Sequence, residues 1–396
     1  MSRSSTRSDV LSVPSQRETS STEFDLLCAC AGVDLAPERA ARIANWKESV
    51  PEWNEFLRIA WHHGIMALAA RNLTAHARGL PPEIEQSLRT GYEESIHHNL
   101  WFAGELVRIA EHFEKKKLRA VPYKGPALAE SVYGDLALRN FSDLDFLIAP
   151  ADFAAAKQAL AELGYLPSTA LIPEAERIGL RIGYERAFDG PAGRNLVELQ
   201  WRVLPHFYGV DLSTDGLLAR SGRAVLGGRE VPALAPEDSL LVLCLHAAKH
   251  LWMRLIWVCD IAETLRQPTD YAQVLDHARS LGMTRILGVS FWLAENLLDA
   301  PLPQSAQEVI VGDPEVPVLG REFATRLARG AEYDFESSEY FRLILRLRER
   351  RRDRWRYLWR LALTPGAGDV AAVRLPEGLF PLYRVVRLVR LVRKLG

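Results

Sequence analysis

The stretch "LRNFSDLDFLIAP", residues 138–150, decides the fold. Its apolar run reads as a buried strand, yet it carries Asp143 and Asp145 one residue apart. Strand side chains alternate between faces, so both aspartates point to one side while Leu144 and Phe146 point to the other. Two carboxylates at that spacing repel unless something positive sits between them. A divalent cation answers the need: Mg²⁺ takes oxygen ligands, commonly one or two carboxylates together with substrate phosphates.

The neighbouring segments supply partners. "LRAVPYKG" (118–125) reads as a strand running into a turn, and "PALAESVYG" (126–134) as helix. "PADFAAAKQALAELGY" (150–165) is a helix opened by Pro150 and closed by Gly164. "RIGYERAF" (181–188) and "NLVELQWRV" (195–203) are strand-like runs, and the turn-forming "DGPAGR" between them predicts a β-hairpin. In the second run Glu198, Gln200 and Arg202 share one face, and Val197, Leu199, Trp201 and Val203 the other. If this strand pairs beside the Asp143 strand, three carboxylates converge. Such a triad can hold two metals, one activating an attacking oxygen and one neutralising a triphosphate and its leaving group. Asp189 is the rival third ligand, although turns favour Asp for local reasons. Gln200 receives no role. Lys124-Gly125, at a strand end leading into a helix, can offer backbone N–H groups and a point charge to phosphates. Arg139 and Ser142 add a cation and a donor beside the aspartates.

The 396 residues allow two or three domains, and 48% hydrophobic with 25% charged residues is an ordinary soluble globular composition. The abundance of Ala, Leu, Arg and Glu predicts a largely helical chain. Residues 24–115 read as amphipathic helices, and from Pro236 the chain returns to helix, with breaks at "TPGAGD" and "RLPEGLFP". The expected plan is a tail over 1–22, a helical region over 23–115, a small α/β core over 116–235, and a helical region over 236–396 ending in a basic amphipathic helix. No repeat is visible. The Ser/Thr/Arg-rich N-terminus has no apolar stretch like a secretory signal and reads as a flexible tail. No apolar run reaches the roughly 18 residues of a membrane span. Cys28, Cys30, Cys244 and Cys259 form no metal-type pair and read as reduced thiols, which points to a cytoplasmic location.

Taken together, Lys124-Gly125-x-x-Leu128, Arg139, Phe141-Ser142-Asp143-Leu144-Asp145-Phe146 and Gly164-Tyr165 resemble the uncharacterised nucleotidyltransferase family of the polymerase-β-like superfamily. "VELQWRV" is similar to the family strand that carries the third acid, and "HAAKHLWMRLIWVCD" to its downstream helical segment. The resemblance runs from about residue 50 to the C-terminus. It implies an α+β, mainly helical protein with a small mixed-sheet nucleotidyltransferase core between helical domains. It also implies Asp143, Asp145 and Glu198 as ligands of Mg²⁺ or Mn²⁺, with an NTP as substrate. Toxin-type nucleotidyltransferases show a similar arrangement. The superfamily's Gly-Ser or Gly-Gly turn is here Gly125-Pro126, and Pro126 has no N–H to give a phosphate.

Two further features bear on function. His246 and His250 are four apart on a helix, so they share a face. In an unbroken helix Met253, Trp257 and Asp260 would line the same strip with Lys249 at its edge. That strip is read either as core histidines bonded to Asp260 or as a wall contacting base, ribose or acceptor. The pairs His62-His63 and His97-His98 read as structural. Residues 342–396 hold 15 Lys/Arg against 4 Asp/Glu, leaving 34 basic and 46 acidic residues elsewhere. Arg384, Arg387, Arg390 and Arg393 recur every third residue among Val and Leu. This end could dock on the acidic body, lie on the inner face of a membrane, or bind an anionic polymer.

The expected activity is transfer of NMP from an NTP to a hydroxyl, with release of pyrophosphate. The acceptor expected is a small molecule, peptide or glycan ahead of RNA, with no stable DNA complex. A non-catalytic nucleotide-binding scaffold and a toxin-like enzyme acting on tRNA are the alternatives.

Overall fold

The computed structural model describes residues 22–48, 51–169, 173–193, 196–335, 337–365, 367–373 and 375–395. The tail expected over 1–22 lies outside them, except that Thr22 opens the helix Thr22–Cys30. Among the described residues the chain is mainly helical and carries a small five-stranded mixed sheet. Its strands are β1 (Ala120–Pro122), β2 (Asp143–Ile148), β3 (Leu166–Pro167), β4 (Glu185–Asp189) and β5 (Leu196–Gln200), in the order β1-β2-β5-β4-β3. The central pair, β2 and β5, is parallel, and Asp145 lies opposite Glu198. The other pairs are antiparallel, including the expected β4–β5 hairpin. Arg181 and Ile182, read as strand, instead end the helix Pro173–Ile182.

A second hairpin, β6 (Gly222–Leu226) with β7 (Arg229–Ala233), was not anticipated. Its turn is Gly227-Gly228, both at positive φ (56° and 77°). That is the backbone a two-residue hairpin turn demands and glycine supplies without a Cβ clash.

Both sheet faces are covered, for reasons visible in the alternation. Leu144, Phe146 and Ile148 of β2 join Val197 and Leu199 of β5 and Phe188 of β4 in one cluster. That cluster packs on Phe102, Leu106, Ile109 and Phe113 of the 34-residue helix Pro82–Lys115 and on Phe153 and Leu160 of the helix Phe153–Glu162. Each such side chain contributes about 1.5–3 kcal/mol on burial. The opposite face carries Leu147, Tyr123 and the polar residues, and turns towards the helices Pro236–Lys249 and Leu255–Leu265.

Those two helices form a pair, so the unbroken course on which a shared strip from His246 to Asp260 depended is not taken. The first ends at Lys249, and Leu251 and Trp252 both take left-handed backbone (φ 49° and 51°). Non-glycine residues adopt that region at a cost. Burial of both side chains holds them there: Leu251 is 2% and Trp252 0% exposed. The chain therefore turns before the second helix begins, and residues 255–265 follow a new axis.

All four cysteines are free and buried. Burial pushes the Cys28, Cys30 and Cys244 thiols up to about 12, which leaves them unreactive.

Candidate active site

The polar sheet face holds an acidic cluster. One oxygen from each of Asp143, Asp145 and Glu198 lies within 4.8 Å of the others. The parallel β2–β5 register produces this, because Asp145 and Glu198 are direct neighbours and Asp143 is two residues along the same strand. Asp145 is 3% exposed; Asp143 and Glu198 are half-buried.

Gln200 ties the cluster together. Its Nε2 donates to Asp145 Oδ1 at 2.8 Å, Glu198 Oε2 at 3.0 Å and Glu185 Oε2 at 3.2 Å. Its Oε1 accepts from the Tyr123 hydroxyl. The amide can face only this way, since reversal would set a carbonyl oxygen against three carboxylates. Glu185 is a fourth acid that sequence reading missed. It sits one strand beyond β5, opposite Gln200, and only the hairpin register reveals it. Asp189, the rival ligand, lies at the far end of β4 and accepts from Ser168 Oγ at 2.9 Å. Arg202 leaves the face assigned to it, because β5 ends at Gln200 and its Nη1 donates to the Gly183 carbonyl at 2.6 Å.

Two lysines offset the acids. Lys124 Nζ is 2.9 Å from Asp145 Oδ2 and 3.3 Å from His246 Nδ1. Burial opposes its charge, but Asp145 and Asp143 outweigh that and raise its pKa. Lys249 is 9% exposed, and its Nζ lies 4.8 Å from the centre of the Tyr184 ring. Burial lowers its pKa, partly countered by Glu185. Gly125 is at φ +60° with the Asp143 carbonyl 3.5 Å from where a Cβ would stand. The turn thus lies in ordinary contact with the aspartate strand, and its positive φ is what suits glycine.

Four carboxylates face two ammonium groups, which is an excess of negative charge in a buried site. Two of them, Asp143 and Glu198, respond by holding their protons more tightly. Burial, with Asp145 next, pushes Asp143 up to about 6; burial, Asp145 and Glu185 push Glu198 up to about 8. A hard divalent cation fits this set, since the ligands are all carboxylate oxygens gathered around one point.

Arg139 and Asp260 do something other than expected. Arg139 Nε and Nη2 donate to Asp260 Oδ1 and Oδ2 at 2.7 and 2.8 Å, and the Tyr133 hydroxyl donates to Oδ1 at 2.7 Å. Both ends are buried, at 5% and 1% exposure. Asp260 therefore leaves the histidine strip, because the turn at Leu251-Trp252 redirects its helix. The pair pins the segment entering β2, together with Asn99, whose Nδ2 donates to the Arg139 carbonyl at 3.0 Å, and His98, 2.6 Å from the Phe141 carbonyl. Ser142, next to Asp143, is exposed. His97 bonds its own helix, through the Glu93 carbonyl at 2.8 Å. His63 accepts from the Leu255 backbone at 3.3 Å.

His246 and His250 do share a wall, with ring centroids 4.9 Å apart. Trp257 lies 5.3 and 4.9 Å from them, and Phe335 is 5.5 Å from His250. Burial first, then the neighbouring lysines, lowers both histidines, His250 to about 2, so the wall is neutral at pH 7. A separate cavity of about 270 Å³, lined by Arg202, His206, Asp211 and Thr214 among others, is not lined by Asp143, Asp145, Glu185 or Glu198.

Gln200 allows a test. Gln200→Leu removes the amide that braces three carboxylates, and residues in such a bracing position typically contribute about 10–100-fold to metal affinity. Mn²⁺ titration followed by electron paramagnetic resonance is expected to show a loss of that order, with the fold retained by circular dichroism.

A family model described as an uncharacterised nucleotidyltransferase matches residues 49–299, a span that contains every side chain of this cluster. None of the curated proteins matches the chain.

Proposed function

We propose, for a chain that belongs to the family of uncharacterised nucleotidyltransferases and is therefore a transferase, a metal-dependent transfer of NMP from an NTP to an acceptor hydroxyl, with release of pyrophosphate. The observation that carries this is the convergence of Asp143, Asp145 and Glu198 in an acidic site. Residues 116–235 would form a polymerase-β-like core with helical regions 23–115 and 236–396 on either side. The support is that the two sheet faces pack on helices from those two regions.

Asp143, Asp145 and Glu198 would hold Mg²⁺ or Mn²⁺. When bound, the ion supplies charge to the triphosphate and acidity to the attacking oxygen. The chain's own groups do the rest. Lys124, held by Asp145, would bind and orient the phosphates together with Lys249, Gly125 and Ser142 and stabilise the charge that develops on them. Arg139 would act as a positioning residue, fixing the entry to β2 through Asp260. The acceptor oxygen attacks the α-phosphorus; that bond forms as the bond to the bridging oxygen breaks, and the pair of electrons leaves with pyrophosphate. Once the metal has displaced its proton, a Glu198 carboxylate oxygen would take the hydroxyl proton. The neutral wall of His246, His250 and Trp257 would bound the substrate cleft beyond Lys124.

The pKa shifts give the site a pH signature. Asp143 rises from 3.8 to about 6 and Glu198 from 4.5 to about 8. Between those limits the metal-free folded chain binds more protons than the unfolded one, so its stability falls as pH rises. A metal must displace these protons. Calorimetry at pH 7 in buffers of different ionisation enthalpy is therefore expected to show proton release on Mg²⁺ binding. The rise in Tm that Mg²⁺ produces is expected to be larger at pH 8 than at pH 6. The reading itself is tested by Mg²⁺-dependent NTP binding: retention of that binding by Asp143→Ala/Asp145→Ala would contradict it.

A further inference from the structure

The helices Arg351–Leu363 and Tyr383–Leu395 each leave an apolar stripe facing outward. A surface helix normally buries its apolar stripe and leaves its charges outside. In the first helix Asp353 and Tyr357 are buried, while Trp355, Leu358 and Trp359 are 73%, 40% and 69% exposed. Their spacing of three and four residues sets them on one outward face. In the second, Arg387 and Arg390 turn inward. Arg387 Nε donates to the Leu361 carbonyl at 3.1 Å, and Arg390 Nη1 lies 2.5 Å from Asp369 Oδ1. Val385, Leu388 and Val389 are left 55%, 41% and 45% exposed. The expected docking on the acidic body accounts for other arginines: Arg356 and Arg360 pair with Asp211, and Arg346 with Glu315 and Glu322. It does not account for the outward tryptophans. Isolated exposed apolar residues are ordinary, but whole helix faces of them mark an interaction surface.

We propose that this face binds the surface of an anionic phospholipid bilayer. Charge selects the occupant, because residues 342–396 carry 15 Lys/Arg against 4 Asp/Glu, and Arg351, Arg352 and Arg384 are exposed on these same two helices. Side-chain type agrees: tryptophan settles at the headgroup level, Leu and Val enter the acyl boundary, and arginine meets lipid phosphate. No helix among the described residues is long and apolar enough to cross a membrane, so the chain would lie on the bilayer. The first 21 residues match the face poorly as a cover, being Ser/Thr-rich with three Arg against one Asp and one Glu. The inference is independent of the proposed transfer reaction.

The test is co-sedimentation of the full chain with vesicles of phosphatidylcholine alone or mixed with phosphatidylglycerol. The chain is expected to pellet with the mixed vesicles, less so as salt rises, and weakly with the neutral ones. Trp355→Ala/Trp359→Ala is expected to weaken binding about tenfold or more, from the loss of two buried apolar side chains. Both positions are exposed, so an unchanged Tm checks the fold. Failure of the wild-type chain to bind anionic vesicles would overturn the proposal. So would binding that the double variant leaves unchanged. A dimer seen by light scattering that needs both tryptophans, without vesicle binding, would assign the face to a second copy instead.

Discussion

Asp143→Asn is expected to cut NMP transfer by roughly 10³-fold or more, because several kcal/mol of charge stabilisation depend on the metal it would help hold. The same substitution is expected to raise the Tm of the metal-free protein. Asp143 is pushed up to about 6 by burial and by Asp145, so its ionised form is unfavourable in the folded chain. Asparagine keeps the shape and removes the charge. Opposite signs for activity and stability are the mark of a group kept for chemistry. A carboxylate serving only the fold would lose stability when neutralised. Asp145→Asn should lose activity as well but without the gain in Tm, since it would strip the buried Lys124 of its 2.9 Å partner. Transfer assays paired with thermal melts in chelator check both results.

The largest expected stability effect lies at Asp260. Its carboxylate receives both prongs of Arg139 and the Tyr133 hydroxyl in a site that is 1% exposed. Asp260→Ala leaves a buried guanidinium uncompensated, which costs about 3–5 kcal/mol. Replacing both partners with apolar residues, Arg139→Leu/Asp260→Leu, is expected to recover most of that loss. Denaturant unfolding of the two variants measures the difference. The double variant should still transfer poorly, because the entry to β2 loses the contact that fixes Asp143. Full activity in a stable double variant would reduce the pair to a fold element.

Much of the sheet and its acidic face was legible in the sequence, because alternation alone sets which residues share a side. Asp143, Asp145 and Glu198 follow from a period of two, and Lys124 from its position at a strand end. What the sequence did not carry was register and direction. Gln200 bonds three carboxylates only because β5 lies between β2 and β4, and Glu185 comes into range only through the hairpin pairing. Asp260 was misplaced because left-handed backbone at Leu251 and Trp252 has no residue signature; tertiary burial imposes it. The β6–β7 hairpin did have a signal, the Gly227-Gly228 pair, but its strands GRAVL and REVPA mix Arg, Glu and Pro into the pattern and so read weakly as strand. The basic end was recognisable as amphipathic, but the inward turn of Arg387 and Arg390 depends on Asp369, 18 and 21 residues away.

The cluster also explains a local conflict. Crowding Asp143 and Glu198 against the buried Asp145 weakens the metal-free fold, and the rest of the chain absorbs that cost through apolar packing around the sheet.

The most direct test of the central claim follows the label. Each NTP, carrying radioactive phosphorus at either the α or the γ position, is incubated with the protein, Mg²⁺ and cell extract. The account predicts that α label becomes attached to an acceptor, that γ label is recovered as pyrophosphate, and that both depend on Asp143 and Asp145. Transfer of γ label to the acceptor, or Mg²⁺–NTP binding with no transfer of either label, would contradict it.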